Sequence, residues 1–308
     1  MRALLVINPQ ATGVSRAVTS IVTRALQAEL EIDLVETDAR GHGVAIAAQA
    51  ANYELIIACG GDGTVNEVVN GMFATKARLG VIPAGSTNVF ARTLGYRNDA
   101  VEATYQLLQA EAANSTRKIN LGRAEWQSSE GEQFNRLFTF GAGFGFDGEV
   151  VRAVDWSRRQ GETSSVSLYW RSVLRKIAKQ INTANPHPLF YVEEALPLGV
   201  ALISNTDPYT YLHQRAIHPT PRSNYESGLD MMALTTLSIP LLLQTMMVLS
   251  SGKTPRGKNI IHRHDLDYLT LQSKSPLAVQ VDGEPLGRSL EVKFSAERSG
   301  LTVTSPLR

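Results

Sequence analysis

Cysteine is nearly absent. Cys59 stands alone in 308 residues, which excludes an internal disulfide and a cysteine-based zinc site and suits a reducing compartment. An excess of one charge is missing too: 30 Lys and Arg against 29 Asp and Glu leave +1. No bulk field is available for a polyanion, so nucleic acid is not an expected partner. Charged residues are 19% of the chain against 43% hydrophobic, a balance that excludes intrinsic disorder. Only five apolar residues (3–7) lie between Arg2 and Asn8-Pro9. That is too few for a signal-peptide core, so no targeting segment is expected and the run reads as a buried strand. The longest uncharged stretch, 231–252, has the length of a bilayer span. It contains Thr235, Thr236, Ser238, Pro240, Gln244 and Thr245, and reads as a strand (229–237), a turn, and a helix (239–249) capped by Ser238. That helix is apolar almost all round, which predicts burial or, through Met246 and Met247, an acyl-chain pocket. The six histidines show no metal spacing; His262 and His264 share a strand face as a chance pair. No Ser/His/Asp arrangement fits a hydrolase.

What is present falls into two parts. Short apolar runs at 3–7, 32–35, 55–58 and 79–82 alternate with helical patterns at 14–30, 42–51, 64–73 and 87–94. Such alternation predicts parallel βαβ units. After Asn120, strand-like runs at 137–145, 198–204, 229–237, 268–272, 277–281 and 290–294 predict a β-rich region, interrupted by a helix near 166–181. The expected fold is α/β with two domains. Residues 1–120 form an open parallel sheet to which 298–308 return, residues 121–297 form a sandwich-like domain, and the site lies in a cleft between them.

The most informative segment is Cys59-Gly60-Gly61-Asp62-Gly63-Thr64-Val65-Asn66-Glu67. It leaves a buried strand and opens a helix, so N–H groups and the positive helix end face whatever fills the loop. Asp62 would repel a bare phosphate but suits a divalent cation lying between it and phosphate oxygens. The simpler reading is local: Thr64-x-x-Glu67 is a capping box. No Walker loop occurs, and the glycines of Gly141-Ala142-Gly143-Phe144-Gly145 lack dinucleotide spacing and read as close backbone packing. Two further strand-to-helix junctions, at 8–13 and 83–88, fall on the same sheet edge. Three converging loops make a nucleotide phosphate site credible.

Gly60-Gly61-Asp62-Gly63-Thr64-Val65-Asn66-Glu67-Val68-Val69-Asn70-Gly71 resembles the signature of the diacylglycerol kinase catalytic domain family, shared with sphingosine kinases and bacterial lipid kinases. Asn8-Pro9, the loop and helix at 83–92, and Val281-Asp282-Gly283-Glu284-Pro285 follow in the family's order. NAD kinases share the Gly-Gly-Asp-Gly-Thr core, but the continuation is similar to the lipid branch. The resemblance implies an NAD kinase/diacylglycerol kinase-like fold and Mg2+- and ATP-dependent phosphorylation of a lipid hydroxyl. It implies that Asn8, Pro9, Gln10, Ala11, Thr12, Thr37, Gly60, Gly61, Asp62, Gly63, Thr64, Val65, Asn66 and Ser86 line the nucleotide. It also makes Asp62 the metal residue and Glu284 the general base. On residue pattern alone, Asp282-Gly283 is a two-residue hairpin turn. Two departures stand out: Val89 follows Asn88 where many members have Asp, and Ser227 replaces the Asp that joins a structural magnesium in many bacterial members, which puts that site in doubt.

Residues 152–181 hold seven basic and two acidic residues. The helical pattern there sets Arg171, Arg175 and Lys179 in a row beside an apolar face with Trp170, as in an interfacial helix drawn to anionic lipid; an ordinary surface helix is the alternative. The expectation is a cytoplasmic kinase, peripheral at the inner face of the membrane, converting diacylglycerol to phosphatidic acid. The alternatives are another lipid alcohol as acceptor (a sphingoid base, ceramide or monoacylglycerol) and a non-catalytic lipid- or nucleotide-binding relative. A homodimer is compatible with the sequence.

Overall fold

The computed structural model describes residues 1–128, 130–159, 190–192, 196–212 and 214–307. The helix expected near 166–181, with Trp170, Arg171, Arg175 and Lys179, lies outside them. Two compact units form, Met1–Leu121 with Arg298–Arg308, and Gly122–Glu297.

In the first unit, β1 (Arg2–Ile7), β2 (Glu31–Glu36), β3 (Leu55–Gly60) and β4 (Arg78–Pro83) are all parallel, in the order β2-β1-β3-β4. β3 is buried along its whole length, which is why it reads as a continuous apolar run rather than an alternation. The helices are α1 (Arg16–Glu29), α2 (His42–Ala48), α3 (Asp62–Met72), α4 (Val89–Leu94) and α5 (Ala100–Ala112). α1 starts where Ser15 accepts from the Val18 N–H and buries Val22 and Leu26. α5 has no counterpart among the sequence expectations, although Asp99 caps it by accepting from Val101 and Glu102 N–H groups. The end of the chain pairs with β4 at Val303, and the Tyr96 hydroxyl donates to the Thr304 carbonyl at 2.9 Å.

The second unit is built on antiparallel strands. β7 (Gly141–Gly145), β10 (Val200–Ser204), β13 (Leu229–Leu234), β14 (Ile260–Leu266), β15 (Tyr268–Val281) and β16 (Glu284–Thr304) are ordered β14-β13-β10-β7-β15-β16. The shorter β5 (Thr116–Gln127), β6 (Gln133–Phe138), β8 (Phe190–Val192), β9 (Leu196–Leu198), β11 (Thr210–Leu212) and β12 (Arg215–Ile217) complete it. Alternation along the strands sorts side chains between two cores. Ala201, Ile203, Met231 and Ala233 join Phe138, Phe144, Phe190 and Phe294 on one face. Val200, Leu202, Met232 and Leu234 lie on the other, under α6 (Phe146–Arg159) and α7 (Ile239–Ser250).

Several expectations need correction. The run 137–145 is two strands, β6 and β7, because Asp282 draws the Thr139 and Phe140 N–H groups out of strand pairing. The runs 268–272 and 277–281 are one irregular strand, β15, and 290–294 lies inside the long β16. α6 was not expected. The expected strand over 229–237 ends at Leu234. The helix expected to be buried, α7, fully buries only Leu242 and Thr245.

Candidate functional site

The order β2-β1-β3-β4 reverses direction between β1 and β3: the chain leaves β1 to one side and returns on the other. In open parallel sheets, ligands bind at the carboxyl ends of strands where this reversal opens a crevice. The loops after β1 and β3 flank that point, and the loop after β4 lies beside them. The three are tied together. Ala84 N–H donates to the Gly60 carbonyl at 2.8 Å, Gly13 N–H to the Ala84 carbonyl at 2.7 Å, and Asn8 N–H to the Cys59 carbonyl at 3.0 Å. Asn8 Nδ2 donates to Thr64 Oγ1 at 3.1 Å, across the reversal point itself. Glycine is required here by contact. A β-carbon on Gly85 would lie 2.5 Å from the Gly61 Cα, and one on Gly60 would lie 2.5 Å from Thr64 Oγ1.

Asp62, in the first turn of α3, accepts from the Val89 N–H at 3.0 Å and the Phe90 N–H at 3.1 Å. It therefore caps α4 from another element. Asn88, at φ +51, gives α4 no side-chain cap; its amide accepts from Gly85 N–H and donates to the Gly85 carbonyl and Asn98 Oδ1. Asp62 thus fixes the third loop against the second.

The capping-box reading of Thr64-x-x-Glu67 is wrong. α3 starts at Asp62 with Gly61 as N-cap, placing Thr64 and Glu67 within the helix. Glu67 instead accepts from Gly41 N–H at 2.7 Å and Gly43 N–H at 2.9 Å, capping α2. Thr64 is free of capping duty and its hydroxyl serves Asn8.

The remaining expected residues divide by exposure. Pro9, Gln10, Thr12 and Ser86 are exposed, and Ala11, Gly61, Asp62 and Gly63 are partly so. Gln10 N–H donates to Asn8 Oδ1 at 3.0 Å, which tightens the first loop. Thr37 is buried at the end of β2, its N–H on the Ile7 carbonyl. Val65 and Asn66 are buried within α3, and Asn66 accepts from Asn70 Nδ2. Burial pushes the neighbouring Cys59 thiol up to about 12, so it is inert as a nucleophile.

Glu284 lies in the second unit, directly after the expected turn. Asp282 and Gly283 have φ of +47° and +76°, and Val281 pairs with Glu284. Positive φ at both central residues identifies the type I′ hairpin turn. Asp282 is buried, and its carboxylate accepts from the N–H groups of Thr139, Phe140 and Gly141 and from the Thr139 hydroxyl, at 2.8–3.1 Å. The other side of the turn is held by Gln280, whose Oε1 accepts from Gly283 N–H at 3.1 Å. Gln280 Nε2 donates to Asp147 Oδ2 at 2.7 Å and to the Tyr209 hydroxyl at 2.9 Å. Asp147, in the first turn of α6, is buried. Burial pushes its carboxyl up to about 6 against hydrogen bonds from Gln280 and Tyr209 that pull it down. The Gly141–Gly145 run packs closely against this group, since a β-carbon on Gly143 would lie 2.0 Å from Asp147 Oδ2 and one on Gly141 2.6 Å from the Tyr209 ring. Sequence reasoning missed Asp147, Tyr209, Gln280 and the anchoring by Asp282. An acid just after a glycine-rich buried strand was the one local signal.

At the doubtful structural-magnesium position, Ser227 hydrogen-bonds within its own turn to Asn224. Asp230 is taken by His264 Nδ1 at 2.7 Å and Asp265 N–H at 3.1 Å. Among the described residues no cluster of three metal-ligating side chains forms. The donors at this position do not fit a magnesium cage.

The model of the diacylglycerol kinase catalytic domain matches residues 2–124, the stretch that contains all three loops. That segment is similar to the diacylglycerol kinase catalytic domain family. The diacylglycerol kinase of Bacillus subtilis (strain 168) is 37% identical over 133 residues, 41% of this chain and 43% of the relative. That of Staphylococcus aureus (strain MRSA252) is 32% identical over 128 residues, 40% and 39% of the two chains. The match therefore spans less than half the length of these curated relatives. The fold extends further. The crystal structure of a diacylglycerol kinase from Bacillus anthracis str. Sterne aligns with a TM-score of 0.68 at 17% identity, covering 99% of this chain and 96% of that one. Yeast NADH kinase aligns with a TM-score of 0.52 at 10% identity, covering 98% and 82%. The chain has the mixed α/β fold of these kinases, with a β-rich second part.

Proposed function

We propose that this chain is an ATP-dependent lipid kinase that transfers the γ-phosphoryl group to the hydroxyl of diacylglycerol, giving phosphatidic acid. The observation that carries the reading is the knot of three glycine-containing loops at the reversal point of a parallel sheet, within a segment similar to the diacylglycerol kinase family. Phosphoryl transfer is largely positioning and charge neutralisation, and the loops suit that task. Gly61, Gly63 and Gly85 let backbone N–H groups approach phosphate oxygens, and the α3 N-terminus adds its positive end.

Asp62 is the carboxylate of this knot. It accepts two backbone N–H groups. One carboxylate fits magnesium, which commonly binds through one or two carboxylates plus substrate phosphates. Mg2+ held there would neutralise charge on the transferred group. Glu284 is assigned the lipid hydroxyl proton: a carboxylate on a two-residue turn clamped by Asp282 and Gln280 loses little freedom on meeting its substrate. The reading places the protein in the cytoplasm, visiting the inner face of the membrane.

The test is transfer of label from γ-labelled ATP to mixed lipid vesicles, resolved by lipid class. Label in phosphatidic acid alone is the expected outcome. Label in another phospholipid would keep the chemistry and replace the acceptor; ATP binding with no labelled lipid would overturn the kinase reading.

A further inference from the structure

We propose that the outer face of α7, with the basic loop after it, is a docking surface for an anionic lipid membrane. The inference deepens the lipid-kinase reading and rests on it for its purpose. A helix laid on a globular core ordinarily turns charged residues to water. α7 turns none. Its inner side packs Leu242 into the core under β10 and β13, while Pro240, Leu243, Gln244 and Met247 face outward. Leu243 is 38% and Met247 67% exposed, and their i, i+4 spacing puts them on one stripe. The helix is not long and apolar enough to cross a bilayer, so the face is suited to lying on one.

The partner is fixed by charge. Between Asp230 and Asp265 there is no acidic residue, while Lys253, Arg256, Lys258 and Arg263 are basic. Lys253, Arg256 and Lys258 are exposed, in a loop pinned at three points. Thr254 donates to the His218 carbonyl at 3.0 Å, Pro255 is buried, and His262 Nε2 lies 2.9 Å from the Pro255 carbonyl. Arg215 adds a fourth base at the same end, its Nη1 on the Ser250 carbonyl at 2.9 Å. A simpler account assigns these bases to the negative end of the α7 dipole. It explains Arg215, but not the uncharged outer face or the absence of acids. An apolar stripe beside fixed bases matches interfacial attachment, in which apolar side chains enter the headgroup region and bases meet anionic headgroups.

The experiment is co-sedimentation of the full chain with vesicles of phosphatidylcholine alone or mixed equally with phosphatidylglycerol, beside turnover of a short-chain diacylglycerol in solution. Wild type should favour the anionic vesicles, and less so at high salt. The Lys253→Gln/Arg256→Gln/Lys258→Gln variant should lose on the order of a hundredfold in partitioning, about fivefold per base. Leu243→Gln/Met247→Gln should lose on the order of tenfold on either vesicle. Soluble turnover should be unchanged in the Lys253→Gln/Arg256→Gln/Lys258→Gln variant. Equal binding of wild type and both variants would overturn the inference. So would a Leu243→Gln/Met247→Gln variant that binds vesicles normally but sediments as a smaller species, since the face would then belong to a second copy. Loss of vesicle binding in the variants of a chain that phosphorylates no lipid would sustain the docking surface and overturn the kinase reading alone.

Discussion

Replacing Asp147 with Asn should make the protein more stable at neutral pH and not at acid pH. The carboxyl ordinarily titrates at 3.8, and burial raises it to about 6 in the folded chain. Between those values the folded state binds the proton more tightly than the unfolded one, so this group's contribution to stability is fully present below pH 3.8. It is lost as pH rises through 6. A rise of roughly two units at 1.36 kcal/mol each amounts to about 3 kcal/mol. Asn cannot ionise, yet its oxygen still accepts from Gln280 Nε2 and Tyr209, so the variant escapes the loss. The difference between variant and wild type should therefore grow by about 3 kcal/mol in the variant's favour from pH 3 to pH 7.5. Urea unfolding followed by tryptophan fluorescence reads it in the right place, since Trp126, Trp156 and Trp170 all fall within 122–297. A difference independent of pH would refute the claim that a desolvated carboxyl lies beneath the Glu284 turn.

Gly85→Ala should push the second and third loops apart, because the new β-carbon meets the Gly61 Cα at 2.5 Å; ATP affinity measured by calorimetry should fall at least tenfold with the unfolding midpoint little changed. Gln280→Leu leaves Gly283 N–H without its acceptor and Asp147 Oδ2 without its Gln280 donor, so turnover should fall while the KM for ATP stays put. Asp62→Ala removes the cap of α4 and should cost about 1 kcal/mol of stability in addition to abolishing transfer, whereas Asp62→Asn should recover some of the stability and none of the activity.

The sequence was legible where structure depends on neighbours in the chain. The 3–7 strand, the strand-to-helix junction at 59–67 and the Asp282-Gly283 turn are local patterns, and each took the expected backbone form. Three of the failures share one cause, a polar side chain serving an element far away. Glu67 spends its carboxylate on α2, 24 and 26 residues back, so a capping motif that is complete in sequence is absent in space. Asp282 reaches across more than 140 residues to break the strand at 139–140. Asp62 appeared as a metal residue and proved also to be the cap of a helix 27 residues on. Gln280, Tyr209 and Asp147 converge from three separate elements, and no spacing rule brings such groups together. α7 was misjudged because an apolar composition shows how much could be buried, not which face a core of finite size will cover.

The most direct test of the central claim is the turnover of Glu284→Gln compared with its ATP affinity. Gln keeps the shape of the side chain on its clamped turn but cannot take a proton. ATP binding should be unchanged while transfer to lipid falls by a factor of at least about a hundred, the usual contribution of a general base. Transfer at the wild-type rate by Glu284→Gln would contradict the mechanism.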